Sequence, residues 1–319
     1  MHHSPEISVI IPLHNEEAVL QELIERTQSA VLKITENFEI ILVNDGSQDR
    51  TLEMIQRFAS SEDRLKYLSF SRNFGHQTAV TAGIQNCQGN TAVIIDGDLQ
   101  DPPEVIPEMY QKYREGFEVV YGKRRSRKGE TFFKKSSAKF FYRLLKKLTN
   151  FDIPVDTGDF RLIDRKIIDY LCQMPEQNKF IRGQVAWIGF RQAFVEYDRD
   201  ERRAGSSGYP FSKMLSFALD GITAFSNRPL KAVTYLGFIV ASLAFLIIIY
   251  ALLSHFVLGQ TINGWTSLII SSMFIGGIQL LSLGIIGEYI SRINANVRNR
   301  PLYIVEKTNI PDKNQKPVS

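Results

Sequence analysis

From Ala232 to Gly287 the chain carries no Asp, Glu, Lys or Arg, and that absence constrains its fold more than any single motif. A bilayer core about 30 Å thick needs about 20 apolar residues to be crossed by a helix. The stretch divides into two such spans, Ala232–Leu258 and Trp265–Tyr289, joined by the short polar turn Gly259–Gly264. A buried hairpin in a soluble protein would need core helices unusually long and uncharged. Two C-terminal transmembrane helices are therefore expected. Gly276, Gly277, Gly284 and Gly287 suit close helix–helix approach in lipid and fit a homo-oligomer. Arg228 and Lys231 precede the first span, Arg292, Arg298 and Arg300 follow the second, and the turn has neither Lys nor Arg. The positive-inside rule then predicts a two-pass protein of the inner (plasma) membrane, with both termini and the large N-terminal part in the cytoplasm.

The 319 residues leave room for a cytoplasmic domain over 1–228, a hairpin over 229–290 and a cytoplasmic tail over 291–319. A net charge of only +4 argues against a general polyanion binder, so nucleic acid is not an expected partner. The positive charge gathers in Lys123–Lys128 and in Phe132–Lys147, where aromatics and cations alternate at helical spacing. That segment reads either as an interfacial helix drawn to anionic lipid or as an ordinary amphipathic helix packed on a sheet. Phe211–Phe225 is a second amphipathic candidate, leading toward the first span. Two cysteines without CxxC spacing support neither a disulfide framework nor a zinc site.

The first half alternates strand and helix patterns. Strands are expected at Ile7–Pro12, Phe38–Asn44, Lys66–Phe70, Thr91–Ile95 and Glu118–Tyr121. Helices are expected at Glu17–Thr35, Gln48–Ser60, Gln77–Asn86 and Pro103–Arg114. This is the pattern of an α/β domain, a Rossmann-like, mostly parallel sheet with helices on both faces. No GxGxxG follows any strand, so a dinucleotide fingerprint is missing. Three strand ends carry polar groups instead: Pro12-Leu13-His14-Asn15-Glu16, Asn44-Asp45-Gly46-Ser47 and Asp96-Gly97-Asp98-Leu99-Gln100. Each alone could be capping or turn chemistry. In a parallel sheet all three converge on the edge where such folds bind ligands. Two carboxylates and an amide oxygen at one strand end make a hard-oxygen site suited to Mg²⁺ or Mn²⁺ on substrate phosphates.

These strings carry a resemblance. Pro12–Glu16 resembles the opening PxYNE, Val43–Thr51 resembles VDDGSxDxT, and Asp96–Pro102 resembles DADLQDPP. Together they look like the inverting, GT-A-fold glycosyltransferases of family two. Thr157–Leu162, Arg182-Gly183, Trp187–Phe190 and Arg202–Ser207 narrow the likeness to the polyisoprenyl-phosphate branch. That branch includes the bactoprenol (undecaprenyl-phosphate) glucosyltransferases and is related to dolichyl-phosphate mannose synthase.

The resemblance implies a GT-A domain followed by two membrane helices, and single inverting transfer of a sugar from a UDP-sugar to polyprenyl phosphate at the cytoplasmic membrane face. Glucose is the sugar it implies; GDP-mannose or a UDP-aminoarabinose derivative are the alternative donors, and a non-catalytic sugar-nucleotide-binding partner is the alternative role. Pro12, His14, Glu16, Val43 and Asp45 would hold the uridine, with Asp45 accepting from the uracil ring. Asp98 and Gln100 would ligate the Mg²⁺ or Mn²⁺ ion, with Asp96 and Gly97 beside them at the nucleotide-sugar. Arg124 and Arg202 would meet phosphate oxygens. Asp159 matches the family's active-site acid, and Asp96 and Asp159 are the expected catalytic pair. Gly208 stands where the family commonly has a lysine, with Lys213 or Arg203 as candidates to replace its charge. A lipid acceptor would make the bilayer a partner as well.

Overall fold

The computed structural model describes residues 4–125, 157–198, 228–256 and 264–311. The β-branched, aliphatic and aromatic runs form the expected strands: β1 (Ile7–Leu13), β2 (Phe38–Asn44), β3 (Leu65–Phe70), β4 (Thr91–Ile94) and β5 (Val119–Arg124). Between them lie α1 (Leu20–Leu32), α2 (Thr51–Ser61), α3 (His76–Asn86) and α4 (Ile106–Arg114). The later part adds β6 (Thr157–Asp164), α5 (Arg165–Gln173), α6 (Ile181–Ile188) and β7 (Gln192–Tyr197). Two long helices follow, α7 (Arg228–Phe256) and α8 (Trp265–Arg298), and then β8 (Val305–Thr308).

All eight strands join one sheet in the order β7-β5-β6-β4-β1-β2-β3-β8. Strands β3, β2, β1 and β4 run parallel, β6 is antiparallel to both β4 and β5, and β7 runs parallel to β5. The chain winds outward from β1 through β2 to β3, then crosses back to place β4 on the other side of β1. That reversal is a topological switch point, where open α/β sheets leave a crevice beyond the strand ends.

The period of two in each strand divides the core. Val9, Ile11, Ile40 and Leu42 face α1, α2 and α4, whereas Ile10, Ile41 and Val43 face α3, α5 and α6. Helix α1 begins later than the sequence pattern predicts. The Glu16 and Glu17 amides, which a longer helix would leave as open donors, are instead taken by Thr51 Oγ1 at 3.0 Å and Asp49 Oδ2 at 3.2 Å.

The segment after residue 291, expected as a tail, does more than trail. Helix α8 continues to Arg298, and β8 then pairs antiparallel with β3 at the edge of the sheet. Strands β6, β7 and β8 have no counterpart in the sequence reading, because the buried face of β6 carries Asp159 and Arg161 and both flanking edges are short. Helices α7 and α8 are long and apolar enough to cross a membrane, with windows of mean hydropathy 2.0 and 1.5 in which none of the described residues is buried. Hydroxyls along them turn inward: Thr234 donates to Leu230 O, Ser271 to Ser267 O and Ser282 to Ile278 O. Such bonds leave little polar surface to solvate. The two basic and amphipathic segments at 132–147 and 211–225, and the turn at 259–263, lie outside the described residues.

Helix α3 packs on the sheet through Gly83, where an added Cβ would stand 2.2 Å from Ile10 Cγ2. In an open helix Gly→Ala gains about 1 kcal/mol. Here the methyl it meets sits on a β-branched, fully buried residue that cannot rotate away, and overpacking costs about 1–3 kcal/mol. Gly83→Ala is therefore expected to lower the thermal midpoint of the full chain; an unchanged or raised midpoint would show the α3–β1 contact to be looser than this.

Candidate active site

A cleft of about 590 Å³ opens at the switch point, over the carboxyl ends of β1 and β4. Its floor depends on one close approach. An added Cβ on Gly97 would lie 2.6 Å from Leu13 Cδ2 and 2.9 Å from Pro12 O, so only glycine lets the end of β4 lie against the end of β1.

Asp159, buried on β6, is the most heavily bonded carboxylate of the cleft. Arg182 of α6 grips it in bidentate fashion, Nε to Oδ1 at 2.9 Å and Nη2 to Oδ2 at 3.2 Å. Arg161 Nη2 donates to Oδ1 at 3.0 Å, Gln77 Nε2 to Oδ2 at 3.3 Å, and His76 Nε2 lies 3.1 Å from Oδ2. Burial alone would raise this carboxyl, but Arg182, the His76 bond and Arg161 together hold it well below the usual carboxylate range. Paired guanidinium groups favour the charged form strongly.

Asp96 sits on the other side of His76, with Oδ1 3.5 Å from Nε2. That oxygen is buried and accepts no hydrogen bond. Burial pushes its carboxyl up to about 6 against the pull of His76, while Asp159, Asp101 and Asp98 add like charge. Burial lowers His76, yet the hydrogen bond to Asp159 and the charges of Asp96 and Asp159 carry it up to about 9. Asp98 lines the cleft and folds back so that Oδ1 accepts from the Gln100 amide at 3.1 Å.

His76, Asp96 and Asp159 each offer one ligand atom, all within 4.8 Å of one another. Asp159 is the weak member of that trio, since a divalent cation on it would stand against two guanidinium groups. The unbonded buried oxygen of Asp96 and the neighbouring carboxylate of Asp98 fit a hard divalent cation better.

Arg124 closes the opposite wall. It bonds the Tyr197 hydroxyl at 3.3 Å and Asp101 Oδ1 at 3.4 Å, and its Nη2 lies 2.8 Å from where a Gly158 Cβ would be. Burial opposes its charge, but Asp101 and Tyr197 more than restore it.

Residues 8–172 match the family model described as glycosyl transferase family 2. The chain belongs to that family. The protein is a glycosyltransferase, and its mostly parallel sheet is of the GT-A kind. The glycosyltransferase YkcC of Bacillus subtilis, named as uncharacterised, is 50% identical over 301 residues, covering 94% of this chain and 93% of its own. The SfII prophage-derived bactoprenol glucosyl transferase of Shigella flexneri is 39% identical over 302 residues, covering 95% of this chain and 98% of its own. Among solved structures, glucosyl-3-phosphoglycerate synthase of Mycobacterium tuberculosis, in complex with Mn²⁺, uridine diphosphate and phosphoglyceric acid, is similar at a TM-score of 0.46 and 20% identity. That similarity covers 69% of this chain and 76% of that one.

Of the residues the sequence singles out, the glycosyltransferase brings Pro12, His14, Glu16, Asp45, Asp96, Gly97, Asp98, Arg124 and Asp159 to one cleft. Val43 is not among them. Its side chain is fully buried in the core beneath α3, with Phe70 and Val80. Gln100 does not line the cleft either, and Arg202, Arg203, Gly208 and Lys213 lie outside the described residues.

Asp45 is placed as expected but bonded differently. Only 3% exposed, it accepts from the Phe74 amide on Oδ1 at 2.6 Å and from the Gly75 amide on Oδ2 at 2.9 Å. It thus holds the loop between β3 and α3, leaving its second lone pairs for any ligand. Other motif residues stitch loops together: Ser47 Oγ accepts from the Asn15 amide, Asn15 Oδ1 from Gln48, and Thr51 Oγ1 from Glu16.

The sequence reading missed roles for His76, Arg182 and Asn73, all of which line the cleft. The signal is present at the end of β3, where Ser71–His76 is as polar as the strand ends after β1, β2 and β4. Gly75, at φ +100° just before α3, marks that turn.

His76 gives a pH signature. Its charge is favoured in the folded state over an unfolded value of about 6.5. Its stabilising contribution is therefore complete below pH ~6.5 and lost as pH rises through about 9. Asp96 acts lower, costing stability as pH climbs from ~3.9 to about 6. Thermal midpoints in EDTA from pH ~6.5 to ~10 should show a gap between wild type and His76→Ala that closes toward the alkaline end. A constant gap would mean that His76 supports the fold by packing, not charge.

Proposed function

We propose that the protein transfers one sugar, glucose, from a UDP-sugar to polyprenyl phosphate with inversion at the anomeric carbon. The observation that carries this reading is the pairing, in one cleft, of the Asp96–Asp98 strand end with a carboxylate pinned by arginines, on a chain with two membrane-length apolar helices. The likeness to a bactoprenol glucosyl transferase over nearly the whole chain supports a lipid-phosphate acceptor.

Two substrates bearing phosphate need two cationic walls. Arg124, steadied by Asp101 and Tyr197, serves the diphosphate of the donor; Arg182, beside Asp159, serves the acceptor phosphate. The attacking phosphate oxygen bonds to the anomeric carbon as the bond from that carbon to the leaving diphosphate oxygen breaks. An acceptor phosphate is largely ionised near neutral pH, with a second pKa of about 6, so no strong base is required. Asp159 is unsuited to be one, because arginine neighbours keep it ionised and occupy both oxygens. Its part is to orient Arg182 and His76 and to oppose positive charge building on the sugar ring. A divalent cation on Asp96 and Asp98, Mg²⁺ or Mn²⁺, would neutralise the departing diphosphate.

Helices α7 and α8 cross the inner membrane in this reading, with the sheet domain on the cytoplasmic side as the flanking Lys231, Arg292 and Arg298 favour. Large side chains such as Phe238, Phe245, Met273 and Leu280 are exposed along them, more apolar surface than water tolerates. The Gly276, Gly277, Gly284 and Gly287 positions of α8 are open on the Cβ side, which supports self-association there.

The test is transfer of label from UDP-glucose to undecaprenyl phosphate by purified full-length protein, with UDP-galactose, UDP-GlcNAc and GDP-mannose in parallel. Lipid-linked product from UDP-glucose alone, stopped by EDTA, is expected; another donor winning replaces the sugar, and no product from any donor removes the enzymatic reading of the acceptor. Asp98→Ala should abolish that turnover. Asp159→Asn should lower kcat roughly 100-fold, the scale of a lost electrostatic contact, without moving the acid limb of the pH profile. A shifted limb would make Asp159 a proton acceptor after all.

A further inference from the structure

A second cleft of about 470 Å³ opens at the same sheet edge and shares His14 and Asn73 with the first. It lies beyond β2 and β3, with Gly46 and Ser47 on one side, Arg72 on another, and one residue from the far end of the chain, Glu306. Glu306 reaches it through a break in register. The β3–β8 ladder pairs Leu68 with Thr308 and Ser69 with Lys307, and then slips so that Phe70 pairs with Val305. Glu306 is the residue left over, the extra member of a β-bulge. Bulges re-aim side chains and recur beside functional sites.

The strand that carries it is tied down more firmly than its length would suggest. Tyr303 stacks on Phe70 with centroids 4.9 Å apart, and its hydroxyl bonds Gln85 Oε1 at 2.9 Å on α3. The Ser71 amide donates to Ile304 O at 3.1 Å, and the Tyr67 amide to Asn309 Oδ1 at 2.8 Å. A short edge strand near a chain terminus frays unless held. This one is held on both sides of the bulge, so the position of Glu306 is set by the sheet.

Among the described residues that line this cleft, Glu306 is the one carboxylate. Asp45, between the lining residues Asn44 and Gly46, is buried with a backbone amide on each oxygen, whereas Glu306 is exposed along the cleft wall. We infer that Glu306 completes the nucleoside end of the donor site, accepting a hydrogen bond from a hydroxyl or ring N–H of the nucleoside. This rests on the donor being a nucleoside diphosphate sugar. The residues that follow the two apolar helices are then part of the substrate site, and the chain closes on its own donor pocket from its far end.

Calorimetric titration of UDP with Mg²⁺ into the full chain in detergent tests this. Glu306→Ala should weaken UDP roughly tenfold or more, as loss of a hydrogen bond to a charged acceptor does, and raise the donor KM while leaving the acceptor KM unchanged. Glu306→Gln, which keeps a carbonyl acceptor, should lose less. Lys307→Ala, on the same strand but outside the cleft, should bind as wild type does. Wild-type affinity in Glu306→Ala overturns the assignment, and so does equal weakening by Lys307→Ala, which would make the strand's presence the cause. A wild-type chain that ignores UDP but binds GDP overturns the proposed donor instead, and the same variants are then read on GDP. Binding of neither nucleotide overturns both.

Discussion

The carboxylate of Asp159 is where the separate parts of this molecule are fastened to one another. It lies on β6, yet its partners come from α3 and α6 as well as its own strand. Gln77 doubles the link by accepting from the Ile181 amide at the start of α6. Arg161, at 0% exposure, depends on it most, with the Tyr121 ring 5.6 Å away as its other polarisable neighbour. Removing one member of a buried ion pair costs about 3–5 kcal/mol, because the survivor is left charged without compensation. The same network bears on the proposed chemistry. A carboxylate facing two guanidinium groups is held toward its charged form, which favours the orienting role proposed for Asp159 over that of a proton acceptor.

The second constraint is the meeting of β1 and β4. Strand order places them side by side, and the missing side chain of Gly97 lets their ends touch. Asp96 and Asp98 are delivered to that seam from one strand, His14 and Glu16 from the other. Asp45 contributes indirectly. By holding the Phe74 and Gly75 amides it shapes the turn that begins α3, and so aims His76 between Asp96 and Asp159. Loop geometry and cleft electrostatics are thus one problem here.

How much of this the sequence disclosed follows from what each element buries. Strands β1, β2 and β4 are runs rich in β-branched residues because both faces are covered, and such runs are visible without any structure. Strand β6 is just as buried, but it spends two of its inward positions on Asp159 and Arg161, which masks its period. Strand β8 hides for another reason. It is exposed along its length, and its place is given by side chains on either side of it, Tyr303 and Asn309, and not by its own pattern. At the site, residues at the ends of recognisable strands were legible. The places of His76 and Arg182 in the cleft were harder to read, since each stands at the start of a helix whose packing turns it toward the cleft. Val43, implied by the family motif at the uridine, is packed in the core two residues before Asp45 and does not line the cleft.

Helix α8 and the chain beyond it reach the elements around both clefts. Asn296, near the end of α8, accepts from the Gln177 amide at 3.0 Å in the segment that leads to α6 and Arg182. Beyond α8 the chain runs through Tyr303 into β8 and Glu306. Helix α8 has 34 residues, about 51 Å at 1.5 Å each, well beyond a hydrocarbon core of about 30 Å. Its polar last turns, from Glu288 through the Glu288–Arg292 pair to Arg298, account for about 15 Å of the excess. With the helices across a bilayer as proposed, those turns form a stalk that passes the headgroup layer, and Asn296 lies on it. The sheet domain is then hung from the membrane at the segment that positions Arg182. A phosphate that never leaves its lipid can only be used by an enzyme whose acceptor end is held at that height.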